Sequence, residues 1–148
     1  MAYWWVNQGQ SHEWKDGFIW ASQKTKDGRQ NHYYENVLRV QPGDIIFSYD
    51  DKEIVAVGIA LSRGFEATTP KERLNDGATE QSGYRANVFY RELEEKIKFE
   101  DIGTKISEIE KEDESKYSLL NVDSKPKQGY LFSISPSLGW FLLKQIDN

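Results

Sequence analysis

The sequence predicts an α+β fold, a small β-barrel of about five to six strands with short helices at its flank. Three observations carry that prediction. Short runs rich in aromatic and β-branched residues recur between turn signals, as in Tyr3-Trp4-Trp5-Val6 and Tyr130-Leu131-Phe132. Two such runs, Ile45 to Tyr49 and Ile54 to Ser62, are separated only by Asp50-Asp51-Lys52-Glu53 and read as a hairpin. Ile102, Ile106 and Ile109 recur at helical spacing, so Phe99 to Ile109 reads as an amphipathic helix. Strands dominate, and polar loops gather in the first third, as a small barrel requires. With 148 residues the chain suffices for one domain, 1–148, with a sizeable core.

Taken in order, residues 2 to 7 form the first strand. Alternation puts Trp4 and Trp5 on opposite faces. Residues 8 to 17 are polar, contain Gly9 and Gly17, and read as a loop. Phe18 to Trp20 is a short extended piece, followed by a polar stretch with an Asp27-Gly28 turn. His32 to Leu38 reads as a short helix with Val37 inward. Gln41-Pro42-Gly43-Asp44 is a turn, because Pro presets the first turn position and Gly accepts a positive φ. In the second hairpin arm Val55, Val57 and Ile59 alternate with Ala56, Gly58 and Ala60, so another element is expected to approach the small face closely. Arg63 to Gly83 reads as a long polar connection, with a helical turn behind Pro70. Tyr84 to Leu93 is a strand that Ile97 to Phe99 extends past a bulge. Tyr130 to Ile134 is the last strand, and Trp140 to Ile146 closes the domain as a strand or short helix.

Composition excludes several function classes. There is no cysteine, which removes disulfides, thiolate nucleophiles and thiolate metal sites. That suits a reducing cytoplasm, the expected location. Two histidines argue against a histidine-based metal centre, and no apolar run approaches the roughly 18 to 20 residues of a membrane span. A net charge of −5 argues against a non-specific nucleic-acid binder but permits a reader of one nucleotide with a local basic rim. No Gly-x-Ser-x-Gly elbow and no phosphate loop is present. Ser11 is next to His12, but sequence neighbours seldom point the same way, and the Asp50-Asp51 pair is explained by a charged hairpin tip. Catalysis in this chain is therefore the minority reading, and no cofactor is expected.

Binding of a flat, polar ring is better supported. A nucleobase needs stacking surfaces and edge donors, and one aromatic wall contributes roughly 1 to 3 kcal/mol. Trp20, followed by Ala21 and Ser22, offers one wall and a hydroxyl; Tyr49 at the end of a hairpin strand offers a second; Asn7 and Gln8 offer amides. The plainer roles are equally concrete: Asn7 as a turn cap, Tyr49 as a plug of the barrel end, Trp4 or Trp5 as core.

These same stretches resemble a known family. Tyr3-Trp4-Trp5-Val6-Asn7-Gln8-Gly9-Gln10, Gly17-Phe18-Ile19-Trp20-Ala21, Val40-Gln41-Pro42-Gly43-Asp44 through Tyr49, Ile54 to Ala60, Gly83 to Tyr90 and Gly129-Tyr130-Leu131-Phe132 are similar to the EVE domain of the PUA-like superfamily, related to YTH and ASCH domains. The likeness is strongest to EVE domains that begin modification-dependent restriction endonucleases, fused to HNH nuclease or McrB-type GTPase parts. It implies a PUA-like barrel that flips a methylated or hydroxymethylated cytosine, or a methylated adenine, out of double-stranded DNA into an aromatic cage. Flipping costs a few kcal/mol of unstacking that the pocket offsets. By this resemblance Trp20 takes the cage tryptophan's place and Phe65 a further aromatic's, with Tyr49, Asn7, Gln8 and Ser22 completing the site. Lys24, Lys26, Arg29 and Arg85 are the expected backbone contacts. The family often has a proline soon after the Trp-Ala, where this chain has Ser22-Gln23, which puts the pocket floor in doubt. The alternatives are a modified-RNA reader, an ASCH-like nucleoside-processing enzyme, in which a Lys and a carboxylate would converge, and an interaction domain with no cage.

Overall fold

The computed structural model describes residues 1–8, 13–23, 32–75, 79–113 and 118–146. Strands β1 (Tyr3–Asn7), β2 (Phe18–Ser22), β3 (Ile45–Asp50), β4 (Glu53–Ala60), β5 (Phe65–Thr68), β6 (Ser82–Lys98) and β7 (Leu131–Ile134) form one mixed sheet in the order β2-β6-β4-β3-β1-β7, with β5 also paired to β6. Only β1 and β3 run parallel. The sheet curls into a half-barrel, and its seven strands exceed the five to six expected. The additional strand, β5, falls inside the Arg63 to Gly83 stretch read as a connection. β6 is one 17-residue strand and carries the expected bulge: between the Ala56–Glu92 and Ile54–Ile97 pairs its residues Leu93 to Lys96 stand opposite the single residue Val55 of β4.

Strict alternation builds two cores. Trp4, Val6, Ile19, Ala21, Ile46, Ala60, Ala86, Val88 and Leu131 point into the concave side. Trp5, Phe47, Phe132 and Ile134 point outward from the other face of β1, β3 and β7. Two helices cover that outward face: α4 (Phe99–Asp113), through Ile102, Ile106 and Ile109, and α5 (Pro136–Ile146), through Leu138 and Leu142. Both adjacent tryptophans are therefore buried. The C-terminal segment is helix, started by the Ser135 hydroxyl accepting from the Leu138 N–H at 3.1 Å. It presses so closely on β1 that a Cβ on Gly139 would lie 2.4 Å from the Tyr3 ring.

The hairpin forms as expected, turning on Asp51 and Lys52 at positive φ (49° and 65°). Its small face is the concave one: a Cβ on Gly58 would lie 2.5 Å from Val88 Cγ1. The large residue Ile59 consequently faces out and is 52% exposed. The Pro42-Gly43 turn is held by Asp44, whose buried carboxylate accepts from the Ala2 and Gln41 N–H groups and the Trp4 indole, each at 2.9 Å. The short helical pieces are α1 (Glu13–Asp16), α2 (His32–Glu35) with a 3₁₀ turn over Asn36–Arg39, and α3 (Lys71–Asn75). No helix of the described residues is long and apolar enough to cross a membrane.

Candidate functional site

Trp20 sits on β2, whose Ile19 and Ala21 face the concave core while Phe18, Trp20 and Ser22 face the convex side. Its Cα partner across the ladder is Arg85 of β6, and the partner of Arg85 on the other edge is Phe65 of β5. Directly opposed residues share a face, so Trp20, Arg85 and Phe65 form one row. The next row is Phe18 and Asn87. Arg85 lies 4.4 Å from the Phe18 ring centre and donates through Nε to Asn87 Oδ1 at 2.9 Å.

The Trp20 indole lies over β6 at Gly83. An added Cβ there would come within 2.4 Å of Trp20 Cζ2, so only glycine lets the ring lie this close. Above the ring is the Arg73 guanidinium of α3, 5.4 Å from the centroid. The indole N–H donates to the Ala67 carbonyl at 3.0 Å, and the Trp20 backbone N–H donates to Tyr130 Oη at 2.9 Å. The side chain is 5% exposed. Over it lies Arg73, carried by a strap over residues 69–75 whose base is fixed where the Thr69 hydroxyl accepts from the Gln81 N–H at 2.8 Å.

The other expected site residues lie elsewhere. The Tyr49 ring packs on Trp5 at 4.9 Å and edge-on to Phe99 at 6.2 Å, within the core under α4. Burial there, and then Asp51, raises its phenol above the usual value. Tyr49 and Trp20 therefore do not form facing walls. Asn7 is occupied in holding a turn: it accepts from the Trp5 indole at 3.0 Å and donates to the Lys127 and Gly129 carbonyls at 3.0 and 2.8 Å. Gln8 is buried on the concave side and donates to the Ser48 hydroxyl at 3.3 Å. Ser22 lies half-buried beyond Trp20 on the same face, opposite Gly83. Lys24, Lys26 and Arg29 lie outside the described residues. The structure thus brings Trp20, Phe65, Ser22 and Arg85 onto one face and sets Asn7, Gln8 and Tyr49 apart from them. It adds Arg73, Phe18 and Asn87, which sequence reading missed. Cross-strand parity from Arg85 would have found Phe18 and Asn87; nothing in the linear sequence brings Arg73 to Trp20.

The chain resembles several solved structures over nearly its whole length. A hypothetical protein from Leishmania major superposes with a TM-score of 0.61 at 10% identity, covering 99% of this chain and 95% of the other. A Pseudomonas putida protein gives 0.58 at 11% identity, covering 99% and 100%. Rpa0253 from Rhodopseudomonas palustris gives 0.50 at 12% identity, covering 99% and 94%. These likenesses show the fold alone. No family model and no curated protein matches the sequence.

Chemically, the Trp20 face combines a buried indole lying under Arg73 with a second guanidinium group, an amide and a hydroxyl. No group of His, Cys, Asp or Glu suited to hold a metal ion occurs among the described residues.

Proposed function

We propose that this chain is a PUA-like, EVE-type reader that binds a modified base of double-stranded DNA against Trp20, as the specificity module of a modification-dependent restriction system. The observation that carries the reading is the Arg73 guanidinium stacked on Trp20. It is a planar, delocalised cation in the place a flipped base would take. The indole N–H is held by Ala67, so displacing Arg73 would free the ring's face while edge recognition falls to other groups. Ser22 at the end of β2 and the amide of Asn87 supply such groups on the same side of the sheet. Stacking of roughly 1 to 3 kcal/mol, together with edge hydrogen bonds, offsets the few kcal/mol of flipping. The reading assigns no chemistry to this chain; a nuclease or GTPase would lie in a fused or associated part.

The test is a binding panel of duplexes, each carrying one modified cytosine or adenine, against the plain duplex and RNA of the same sequence. The native protein is expected to prefer one modified duplex at least ten-fold. Trp20→Phe keeps a ring but loses the bond to Ala67, and is expected to lower that preference several-fold while the protein still melts cooperatively. Equal binding of plain and modified duplexes by the native protein overturns the proposal. Preference for the RNA moves the site to that substrate, and turnover of free nucleosides shows an enzyme instead.

A further inference from the structure

Beyond Arg85 the convex face of β6 continues with Asn87, Phe89 and Arg91, of which Phe89 and Arg91 are exposed. Phe89 is opposite Ile59 and Arg91 is opposite Val57 on β4. Phe89 is 67% exposed, Ile59 52% and Leu61, at the end of that arm, 62%. Phe65 is also exposed. None of the outward positions from Phe18 and Phe65 to Val57 and Arg91 carries a carboxylate. Neither Arg85 nor Arg91 is in an ion pair among the described residues. In a chain of net charge −5 these outward positions are free of acids, which along β6 begin at Glu92, Glu94 and Glu95 and continue on α4, while Glu66 of β5 lies next to Phe65 on the alternate face.

We propose that this face binds a nucleic-acid strand, with Phe89 and Phe65 as stacking surfaces for unpaired bases and Arg85 and Arg91 as phosphate contacts. Exposed aromatics on a sheet, bracketed by arginines, suit bases splayed out of a helix, and the stacking tolerates any base. Arg85 and Arg91 are six residue steps apart on the strand, about 20 Å at roughly 3.3 Å per step, enough to track several nucleotides. A second copy of this chain fits less well. A two-fold contact centred on Phe89 brings the arginines of both copies together with no carboxylate between them. The inference rests on the proposed partner being nucleic acid, but not on selectivity for a modified base. It places the strand beside a base held at Trp20 across this surface.

The experiment measures binding of fluorescent single strands to the full chain by anisotropy, with plain, abasic and modified oligonucleotides over a salt series. Phe89→Ala is expected to weaken the plain strand about ten-fold and the abasic strand hardly at all. Arg91→Gln, remote from Trp20, is expected to flatten the slope of log affinity against log salt by about 0.7. Both variants keep the native preference for a modified base, whereas Trp20→Phe lowers it several-fold and keeps plain-strand binding, so the two sites fail separately. Native-like affinity and salt slope in both variants overturns the proposal. So does a change from dimer to monomer by sedimentation in Phe89→Ala without a change in strand binding, because the face is then a contact between copies.

Discussion

The two outward faces of this sheet obey one rule and end in opposite environments. On β1, β3 and β7 the outward residues Trp5, Phe47 and Phe132 are fully buried, because α4 and α5 lie over them. On β4 and β6 the outward residues Ile59 and Phe89 are exposed, because neither α4 nor α5 buries them. Alternation alone says which residues share a face; a later part of the chain decides whether that face is core or surface. Trp20 is intermediate. It faces outward like Phe89, yet it is buried by a short strap and one arginine rather than by a packed helix.

The sharpest test of this contrast is to truncate one aromatic on each face. Trp5→Ala is expected to cost about 3 to 5 kcal/mol of unfolding free energy in a urea titration, since it empties the space between the sheet and two helices. Phe89→Ala is expected to stay within about 0.5 kcal/mol of native. Similar losses in both would show that the convex face of β6 is covered after all. The intermediate case is probed by Gly83→Ala. Its Cβ would meet the Trp20 ring and the Ala21 carbonyl, at 2.4 and 2.6 Å. A loss of about 1 to 3 kcal/mol is expected if the ring is held against the backbone. An unchanged midpoint would mean that the indole swings free of β6. The smallest effect concerns Tyr49 on the covered face. Burial raises its pKa in the folded protein above 10.0, so the folded state holds this proton more tightly than the unfolded chain. Its contribution is complete below pH 10.0 and is lost as pH rises through the folded value. In Tyr49→Phe this alkaline decline is expected to be shallower than in the native protein.

Much of the fold is legible in the residues because local chemistry and tertiary packing agree there. The α4 isoleucines, the Pro42-Gly43 turn and the β3–β4 hairpin each carry their own signal. The far half of β6 is legible only as a strand broken by a bulge, because Arg91 to Lys98 is a charged run whose apolar residues are Leu93 and Ile97. Leu93 to Lys96 have no ladder partner, and β4 pairs with the strand again only at Ile97 and Lys98. β5 is hidden: four residues on the edge of β6, mostly exposed, have no buried face to write into the sequence. At the site, Trp20 and Ser22 stand out as the end of an apolar run. Their grouping with Phe65 and Arg85 depends on ladder register, and Arg73 reaches Trp20 only through the fold of the strap. Asn7 and Tyr49 looked equally suited to a base, since amides and phenols that hold turns or fill a core are the same residues that read ligands.

The phenol of Tyr130 has a further consequence. β2 and β7 are the two ends of the sheet path. The Tyr130 hydroxyl takes the Trp20 N–H, and the buried Asn36 amide donates to the Leu131 carbonyl at 2.9 Å. Side chains thus occupy backbone groups that a foreign strand would otherwise pair with. A half-barrel with open ends invites end-to-end polymerisation; here one hydroxyl and one amide act as stoppers, and losing them exposes the chain to aggregation before it unfolds the domain.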